Sequence, residues 1–366
     1  MIESALALAL LFVASIVTSY VTTSIVRKAA EQSGLVDRPN ERKHHDGAIP
    51  RVGGLAIIFG FGFPLLLLAG NARAADLVLK NIPYLFAVLS SGALIIGLGV
   101  YDDLVGADAP KKFAVQIMAA VILVSFGFHF TDVSIAGQNF DFGIFGLIAS
   151  VIWIVGVINA MNLIDGLDSL ATIVSLTTAL AFAAIAILRN DMFSLVIMTA
   201  LAGSLLGFLP WNKPPAKIFM GDTGSMFIGL LLAAISIARP SKSPTALIII
   251  GPMLALALPV FDTLMVMRER FTGEPESIDG RIKRMFNADR RHIHHILVAK
   301  YGSITRAILS IWFVTLLFAV AAVMTSVQPL KLYGYSLAGL GVVVMLALRY
   351  RRRPHIQQPV PVRNDD

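Results

Sequence analysis

Adjacent and closely spaced carboxylates are the residues of this chain best suited to chemistry. Asp102 and Asp103 follow directly on an apolar run, and Asp222 lies between Gly221 and Gly224. Two adjacent carboxylates next to hydrocarbon repel each other, and each would cost about 2.5–3.5 kcal/mol at the centre of a bilayer. A nearby cation would offset that cost, and magnesium binds through one or two carboxylates together with phosphates and water. These residues therefore predict a site for a hard divalent cation.

A second polar cluster repeats at intervals of three residues. Asn159 and Asn162 are three apart, and so are Asp165 and Asp168. On a helix this spacing places side chains along one face, although Gly166 indicates a bend. Polar groups between apolar segments need partners, because unpaired ones are costly there. A loop that only leaves the membrane would need no such pattern, so the cluster predicts a ligand site.

Basic residues form the third kind of cluster. Arg290 precedes His292, His294 and His295, and a smaller basic group surrounds Lys43. The histidines could instead bind zinc, but the chain has no cysteine and no His-Glu-x-x-His pattern. Arginine and histidine together are better suited to phosphate or pyrophosphate.

Each cluster has a simpler explanation when it is taken alone. Asp102 and Asp103 also suit the polar end of a helix, Asp222 suits a helix cap, and the histidine run suits a solvated loop. Together the clusters supply oxygen ligands for a cation and fixed positive charges for phosphates. These are the two halves of a phosphoryl-transfer site.

The composition predicts a membrane protein. Of 366 residues, 56% are hydrophobic and only 14% are charged, and the mean hydropathy is +0.76. A soluble domain of this size needs far more polar surface. Because there are no cysteines, disulfides, iron–sulfur clusters and thiolate chemistry are excluded.

Apolar stretches long enough to cross a bilayer, about 20 residues each, recur along the chain. We predict an all-α integral membrane protein with about 11 transmembrane helices, of which the eighth is short. A cleaved signal peptide is the alternative for the first stretch, but it lacks the preceding basic residues that such a peptide has. The stretches run approximately Ser4–Val26, Val52–Gly70, Ile82–Tyr101, Phe113–Phe130, Ile144–Leu163, Leu170–Leu188, Met192–Leu209, Ser225–Ala238, Thr245–Met267, Arg306–Ser326 and Leu332–Leu348.

The basic residues divide unequally between the two sides of this arrangement. The odd-numbered connections and the C-terminal tail hold 24 of the 30 Lys and Arg residues. By the positive-inside rule the N-terminus is outside and the C-terminus is cytoplasmic. The polar clusters then all lie on cytoplasmic connections, so we predict an active site at the cytoplasmic face. The excess of positive charge is then topological, so nucleic acid is not a predicted partner. We expect one membrane domain over residues 1–349, including a cytoplasmic loop over 268–305, and a basic disordered tail over 350–366.

The motifs, in their order, resemble those of the polyprenyl-phosphate N-acetylhexosamine-1-phosphate transferases. The resemblance covers nearly the whole chain, and the His-Ile-His-His run is similar to the N-acetylglucosamine branch. One departure is Ser169, because the family usually reads Asp-Gly-x-Asp-Gly at this point. The matching motifs are Arg42–Gly54, Asp102-Asp103, Asn159–Asp168, Gly221–Gly224 and His292–His295.

The resemblance implies a reaction in the bacterial cytoplasmic membrane. Undecaprenyl phosphate would attack a UDP-N-acetylhexosamine, UMP would leave, and the lipid-linked sugar would start a cell-envelope glycan. Magnesium would be the cofactor, with manganese as the alternative. The preferred hexosamine, a homodimer and a covalent intermediate all stay open at this point.

The resemblance also implies roles for single residues. Asp222 and Asn162 would hold the metal, and Asp102 and Asp103 would be the catalytic groups beside the reacting phosphates. The remaining polar residues would bind substrate: Lys43, Lys112, Asn159, Asp165, Asp168, Arg290, His292, His294 and His295.

Other classes of protein remain as alternatives. A transporter or flippase for an anionic substrate would also carry polar residues within its spans, but here they gather on one side. A family member that uses UDP-MurNAc-pentapeptide is a second alternative. A prenyltransferase is disfavoured because Asp108 does not complete an Asp-Asp-x-x-Asp motif, and a CDP-alcohol transferase would lack the histidine run.

Overall fold

A computed structural model describes residues 2–37, 48–70, 72–130, 132–135, 138–237, 246–272 and 291–350. Two short antiparallel pairs accompany the helices: β1 (Val36–Asp37) with β2 (Ile49–Pro50), and β3 (Asp132–Ile135) with β4 (Gln138–Asp141). The α-helices of this part of the chain are α1 (Ile2–Gln32), α2 (Gly53–Ala69), α3 (Ala72–Lys80), α4 (Ile82–Val105), α5 (Ala109–Ser125), α6 (Gly143–Ile164), α7 (Leu170–Arg189), α8 (Met192–Asn212), α9 (Gly221–Ile237), α10 (Ala246–Ala255), α11 (Ala257–Phe271), α12 (Ile293–Tyr301), α13 (Ile304–Thr325) and α14 (Lys331–Tyr350).

The helices confirm an all-α, multi-pass membrane protein. Seven of them in the described residues are long and apolar enough to cross a membrane, namely α1, α4, α6, α7, α8, α13 and α14. Two shorter apolar helices, α2 and α9, have 17 residues each. Every predicted apolar stretch lies on a helix, while the number of 11 crossings and the side on which the site lies stay predictions.

The ninth predicted stretch is two helices instead of one. α10 ends at Ala255 and α11 begins at Ala257, with Leu256 between them outside helical geometry. Pro259 explains the break, because proline has no N–H to donate to the carbonyl four residues earlier, which is that of Ala255. The Thr178 hydroxyl donates to this carbonyl instead, at 3.1 Å.

Helix α9 lies at the centre of the bundle. Every residue from Thr223 to Ile237 is buried, and the helix packs against α2, α4, α6 and α7. Two glycines allow neighbouring helices to reach its first turn. A Cβ on Gly54 would overlap the Gly224 backbone, and a Cβ on Gly99 would overlap that of Thr223. The start of α9 is therefore held by backbone-to-backbone packing.

The predicted domain division is only partly within the described residues. The long loop predicted over residues 268–305 contains the end of α11 and the whole of α12. Residues 273–290 and 351–366, which include most of the predicted tail, lie outside the described residues.

Candidate active site

The loop before α9 is held by the Gly53-Gly54 segment. Phe219 N–H donates to the Pro50 carbonyl at 2.8 Å, and the Gly53 and Gly54 amides donate to the carbonyls of Phe219 and Met220 at 3.0 and 2.7 Å. Through these hydrogen bonds, the chain that follows β2 runs alongside the loop that carries Asp222. They give a structural reason for the glycine pair at the end of the first motif.

Gly221 makes the turn into α9. Its φ of 72° is a left-handed conformation that favours glycine. A Cβ at this position would also overlap the Arg51 carbonyl and the Asp103 carboxylate. Only glycine therefore fits where Asp222 is delivered into the site.

Asp103 caps the start of α9. Its Oδ1 accepts the Asp222 N–H at 2.8 Å, and its Oδ2 accepts the Thr223 N–H at 3.0 Å and the Thr223 hydroxyl at 2.5 Å. A carboxylate at a helix N-terminus satisfies free amides and is favoured by the helix dipole. In this arrangement both oxygens of Asp103 hold α9, so Asp103 determines where Asp222 lies.

Asp102 and Asp222 meet on one ammonium group. Lys112 Nζ donates to Asp222 Oδ2 at 2.7 Å and forms an ion pair with Asp102 Oδ2. The other Asp102 oxygen accepts the Ala107 N–H at 2.6 Å. Three helices, α4, α5 and α9, thus bring two carboxylates and one cation together. Two like charges this close are favourable only beside a cation.

Asn162 lies next to this cluster at the end of α6. Its Nδ2 donates to Ser225 Oγ at 3.0 Å, and its side chain lies close to the Asp222 carboxylate. The two residues predicted as metal ligands are therefore neighbours in space. Among the described residues no group of three His, Asp or Glu side chains already converges at metal-ligand spacing. The donor set nevertheless fits magnesium, which takes only one or two carboxylates and completes its shell with phosphates and water.

Asp165 follows the end of α6 and is partly exposed. Desolvation raises its pKa well above the usual value, and the negative charges of Asp222, Asp103 and Asp168 raise it further. The part of this rise that comes from the neighbouring carboxylates indicates a negative potential at this point. A divalent cation or another fixed positive charge would relieve that potential.

Asp168 and the residue after it hold the segment that follows α8. Asp168 Oδ2 accepts the Ala216 N–H at 2.9 Å. Ser169 has a left-handed φ of 62°, and its N–H donates to Asn212 Oδ1 at 3.1 Å. The family's usual glycine at this position matches that conformation, because glycine enters it without steric cost. Serine keeps the same turn here.

Asn159 bonds away from the carboxylate cluster. Its Nδ2 donates to the buried Gln116 Oε1 at 2.6 Å and to the Val155 carbonyl at 2.8 Å. Gln116 also contacts Met226 Sδ at 3.5 Å. This network joins α5, α6 and α9 directly beneath the site.

The histidine run reaches the site through Gly166. The His294 ring lies so close to Gly166 that a Cβ there would overlap it. Burial, and then the neighbouring His295 and His292, hold the pKa of His294 well below its usual value. The His292 and His294 rings are stacked, with centroids 5.9 Å apart. His294 is therefore neutral at pH 7 and lies beside the turn that carries Asp165.

Sequence reasoning missed the residue that anchors this run. Asp262 on α11 is buried and lies 2.8 Å from His292 Nδ1. A lone carboxylate within an apolar stretch was the available signal, but its partners are 30 or more positions away. Of the other predicted residues, Lys43 and Arg290 lie outside the described residues.

The structure thus gathers most of the predicted residues at one end of the helix bundle. This end is formed where α4 and α6 finish and where α5, α9 and α12 begin. Carboxylates, a lysine and histidines at such a place define a membrane-embedded enzyme that handles anionic, phosphate-bearing substrates.

Comparison with known proteins gives the particular family. The model of glycosyl transferase family 4 matches residues 85–239. The chain is 34% identical over 315 residues to a Bacillus subtilis protein named probable undecaprenyl-phosphate N-acetylglucosaminyl 1-phosphate transferase, covering 85% of this chain and 83% of that protein. It is also 34% identical over 328 residues to the decaprenyl-phosphate N-acetylglucosaminephosphotransferase of Mycobacterium tuberculosis, covering 83% and 79%. A phospho-N-acetylmuramoyl-pentapeptide-transferase of Bacillus pumilus is 30% identical over 327 residues, covering 85% and 94%.

The chain belongs to glycosyl transferase family 4. It is therefore an enzyme that transfers a sugar 1-phosphate, as its motifs predict. Membership of this family disfavours the transporter and flippase alternatives.

Proposed function

We propose that this protein transfers N-acetylglucosamine 1-phosphate from UDP-N-acetylglucosamine to undecaprenyl phosphate and releases UMP. The product would start a lipid-linked cell-envelope glycan. The observation that carries the proposal is the junction of Asp102, Lys112 and Asp222 at the start of α9, which pairs carboxylates with a fixed cation. Relatives named for N-acetylglucosamine are 32–34% identical and the muramoyl-pentapeptide relative is 30% identical, which supports the choice of sugar.

Magnesium is the proposed cofactor, with manganese as the alternative. Asp222 and Asn162, which lie together, would hold it, and the negative potential at Asp165 would favour its binding. When bound, the ion supplies charge neutralisation for the phosphates. The partial ligand set leaves room for phosphate oxygens to complete the coordination.

The attacking group is already reactive at neutral pH. A phosphate monoester has a second pKa near 6, so it is mostly a dianion. The difficulty is electrostatic, because two unit charges 4 Å apart repel by about 4 kcal/mol at an effective dielectric of 20. Lys112, which is held between Asp102 and Asp222, would offset part of this repulsion, and positioning of the two substrates would supply much of the remaining rate.

Direct in-line attack is the mechanism that we favour over a covalent aspartyl-phosphate intermediate. The Ala107 amide and Lys112 each engage one oxygen of Asp102, which positions the carboxylate and leaves a lone pair on each oxygen. It would remove any residual proton from the attacking phosphate. The histidines, including the neutral His294, would bind the sugar and pyrophosphate together with Arg290.

The contribution of Asp102 can be separated from binding. Asp102→Asn keeps the shape of the side chain but removes its charge and basicity. We expect kcat to fall by about 10²-fold or more, with little change in KM for the UDP-sugar. Equal losses in kcat and in affinity for the sugar nucleotide would assign Asp102 to binding instead.

The proposed location is a bacterial cytoplasmic membrane, with the N-terminus outside and the C-terminus and the active site at the cytoplasmic face. The asymmetry of Lys and Arg supports this orientation. The gathering of the predicted residues at one end of the bundle is what a single-sided site requires.

One assay tests the proposed function. Purified protein is incubated with UDP-N-acetylglucosamine, undecaprenyl phosphate and magnesium, and UMP release is measured with each component omitted in turn. We expect release to need all three, and to be slower with other UDP-sugars, including UDP-MurNAc-pentapeptide. Release without the lipid, or no release with any sugar nucleotide, would refute the proposal.

A further inference from the structure

A buried carboxylate outside the motifs joins three helices at the histidine run. Asp262 on α11 is 2% exposed. Its Oδ2 lies 2.8 Å from His292 Nδ1, and its Oδ1 accepts the Ile293 N–H at 3.0 Å and the Arg349 guanidinium at 2.7 Å. The carboxylate thus connects the start of α12 to α11 and to the end of α14.

Arg349 keeps this carboxylate charged. Its side chain is fully buried, and a second guanidinium nitrogen lies 3.4 Å from Glu269 Oε1. A charge buried this deeply persists only with an opposite charge beside it. An ionised Asp262 accepts hydrogen bonds through both oxygens, so the proton shared with His292 lies on Nδ1.

This arrangement orients the His292 ring. With Nδ1–H donated to the carboxylate, the other ring nitrogen, Nε2, points away from Asp262. Nε2 is buried and hydrogen-bonds no described residue. The His292 ring stacks on His294, which contacts Gly166 beside Asp165. Through this stacking and this contact, the His292 ring is connected to the turn that borders the carboxylate cluster.

We infer that Asp262 is a positioning residue for the transfer reaction. It fixes the proton on Nδ1 and the orientation of His292, whose stacked neighbour His294 contacts the turn that carries Asp165, and Arg349 maintains the charge that this requires. The inference rests on the proposed function. It also gives α14 a part in the site, although Arg349 lies far beyond the residues matched by the family model.

A double-mutant cycle tests whether Asp262 acts through His292. Asp262→Asn should lower kcat/KM for UMP release by about 10- to 100-fold, as is usual when the partner that orients a functional histidine is removed. In a His292→Gln background the same change should cost less than about 3-fold, because the ring to be positioned is gone. If Asp262→Asn lowers kcat/KM by the same factor in the wild type and in the His292→Gln background, the inference is overturned.

Asp76→Asn is the matched control. Asp76 also pairs with a basic residue, Lys80, but this pair is exposed. We expect the control to keep wild-type activity within about 2-fold, since exposed pairs contribute little. An equal loss of activity in Asp76→Asn would show that the effect is not specific to the buried carboxylate.

A second measurement does not depend on activity. In wild-type protein labelled with ¹⁵N-histidine, the His292 ring, assigned by its loss in His292→Gln, should carry its proton on Nδ1. An unprotonated Nδ1 in the wild type would overturn the inference even if UMP is released. A failed transferase assay with the expected tautomer would instead refute the proposed function alone.

Discussion

Asp222 receives its position from its neighbours and not from its own helix alone. Gly221 turns the chain, Asp103 binds the amide of Asp222 itself, and Lys112 binds its carboxylate. Each contact comes from a different part of the chain. A carboxylate held in this way is preorganised, so its loss removes charge from a site that cannot easily rearrange to replace it.

Asp222→Ala should therefore abolish UMP release while the protein still folds. In the wild type, magnesium should raise the unfolding temperature, because a ligand that binds only the folded state stabilises it. We expect the variant to lose this shift. Thermal unfolding in detergent with and without magnesium measures it, and Asp76→Ala should behave as the wild type. Full turnover or an unchanged magnesium shift in Asp222→Ala would remove Asp222 from the site.

Ser169 offers a test of backbone conformation. Its left-handed φ of 62° costs an L-residue about 1–2 kcal/mol relative to the right-handed form. Ser169→Gly should therefore stabilise the protein by up to about 1 kcal/mol, since part of the gain is offset by the flexibility of glycine in the unfolded chain.

The matched control for this change is Ser169→Ala, which keeps the Cβ and so gains nothing from the backbone. Unfolding in a denaturing-detergent titration compares the three proteins, and UMP release should persist in Ser169→Gly. A glycine variant no more stable than the alanine variant would show that the conformation of this turn carries no such cost.

At the scale of helices, close packing brings the site together. Gly99 of α4 contacts the Thr223 backbone, and Gly54 of α2 contacts that of Gly224. Neither neighbour is the flexible end of a side chain, so a larger residue would have to move a helix. The position of Asp222 thus depends on two residues that touch no substrate.

Two glycines of α4 make a matched pair for testing this dependence. Gly99→Ala should lower UMP release by at least about 10-fold, because displacement of the first turn of α9 misplaces Asp222. Gly97→Ala should leave activity unchanged, since a Cβ there meets nothing within 4 Å. The test compares the turnover rates and unfolding midpoints of the two variants. Equal activities would show that α9 accommodates the added methyl group without loss of activity.

Much of this arrangement follows from local signals in the sequence. The apolar stretches place the helices because about 20 apolar residues in succession have few other stable states. The order of the motifs identifies Asp102, Asn162 and Asp222, and the structure brings these residues together. The break at Leu256 was missed, although Pro259 was visible, because a proline within an apolar stretch does not always end a helix, as Pro64 in α2 and Pro210 in α8 show.

Contacts between residues far apart in the chain could not be predicted from such local signals. Asp262 meets a histidine 30 positions later and an arginine 87 positions later, and no periodicity encodes such separations. Asp102 and Asp103 were both predicted to border the reacting phosphates, yet one contacts Lys112 and the other caps α9. Adjacent residues on a helix point about 100° apart, so their different partners depend on the packing of whole helices.

For the whole molecule the testable property is its orientation in the membrane. The chain has no cysteine, so single cysteines can be introduced without removing any. Asp108 and Lys80 are exposed and lie in connections predicted on opposite sides. In intact cells, a membrane-impermeant thiol reagent should label Lys80→Cys and leave Asp108→Cys unlabelled until the membrane is opened. The reverse pattern, or labelling of both, would contradict the predicted topology.

The burial of α9 has a consequence for how the enzyme responds to its lipid environment. The 17 described residues of α9 extend over about 25 Å of a hydrocarbon core that is about 30 Å thick. A lipid-facing helix responds to a mismatch with this thickness by tilting or by deforming the bilayer. Because protein surrounds α9 on every side from Thr223 onward, bilayer thickness does not act on it directly. Changes of membrane thickness would then strain the outer helices first and leave the depth of Asp222 unchanged.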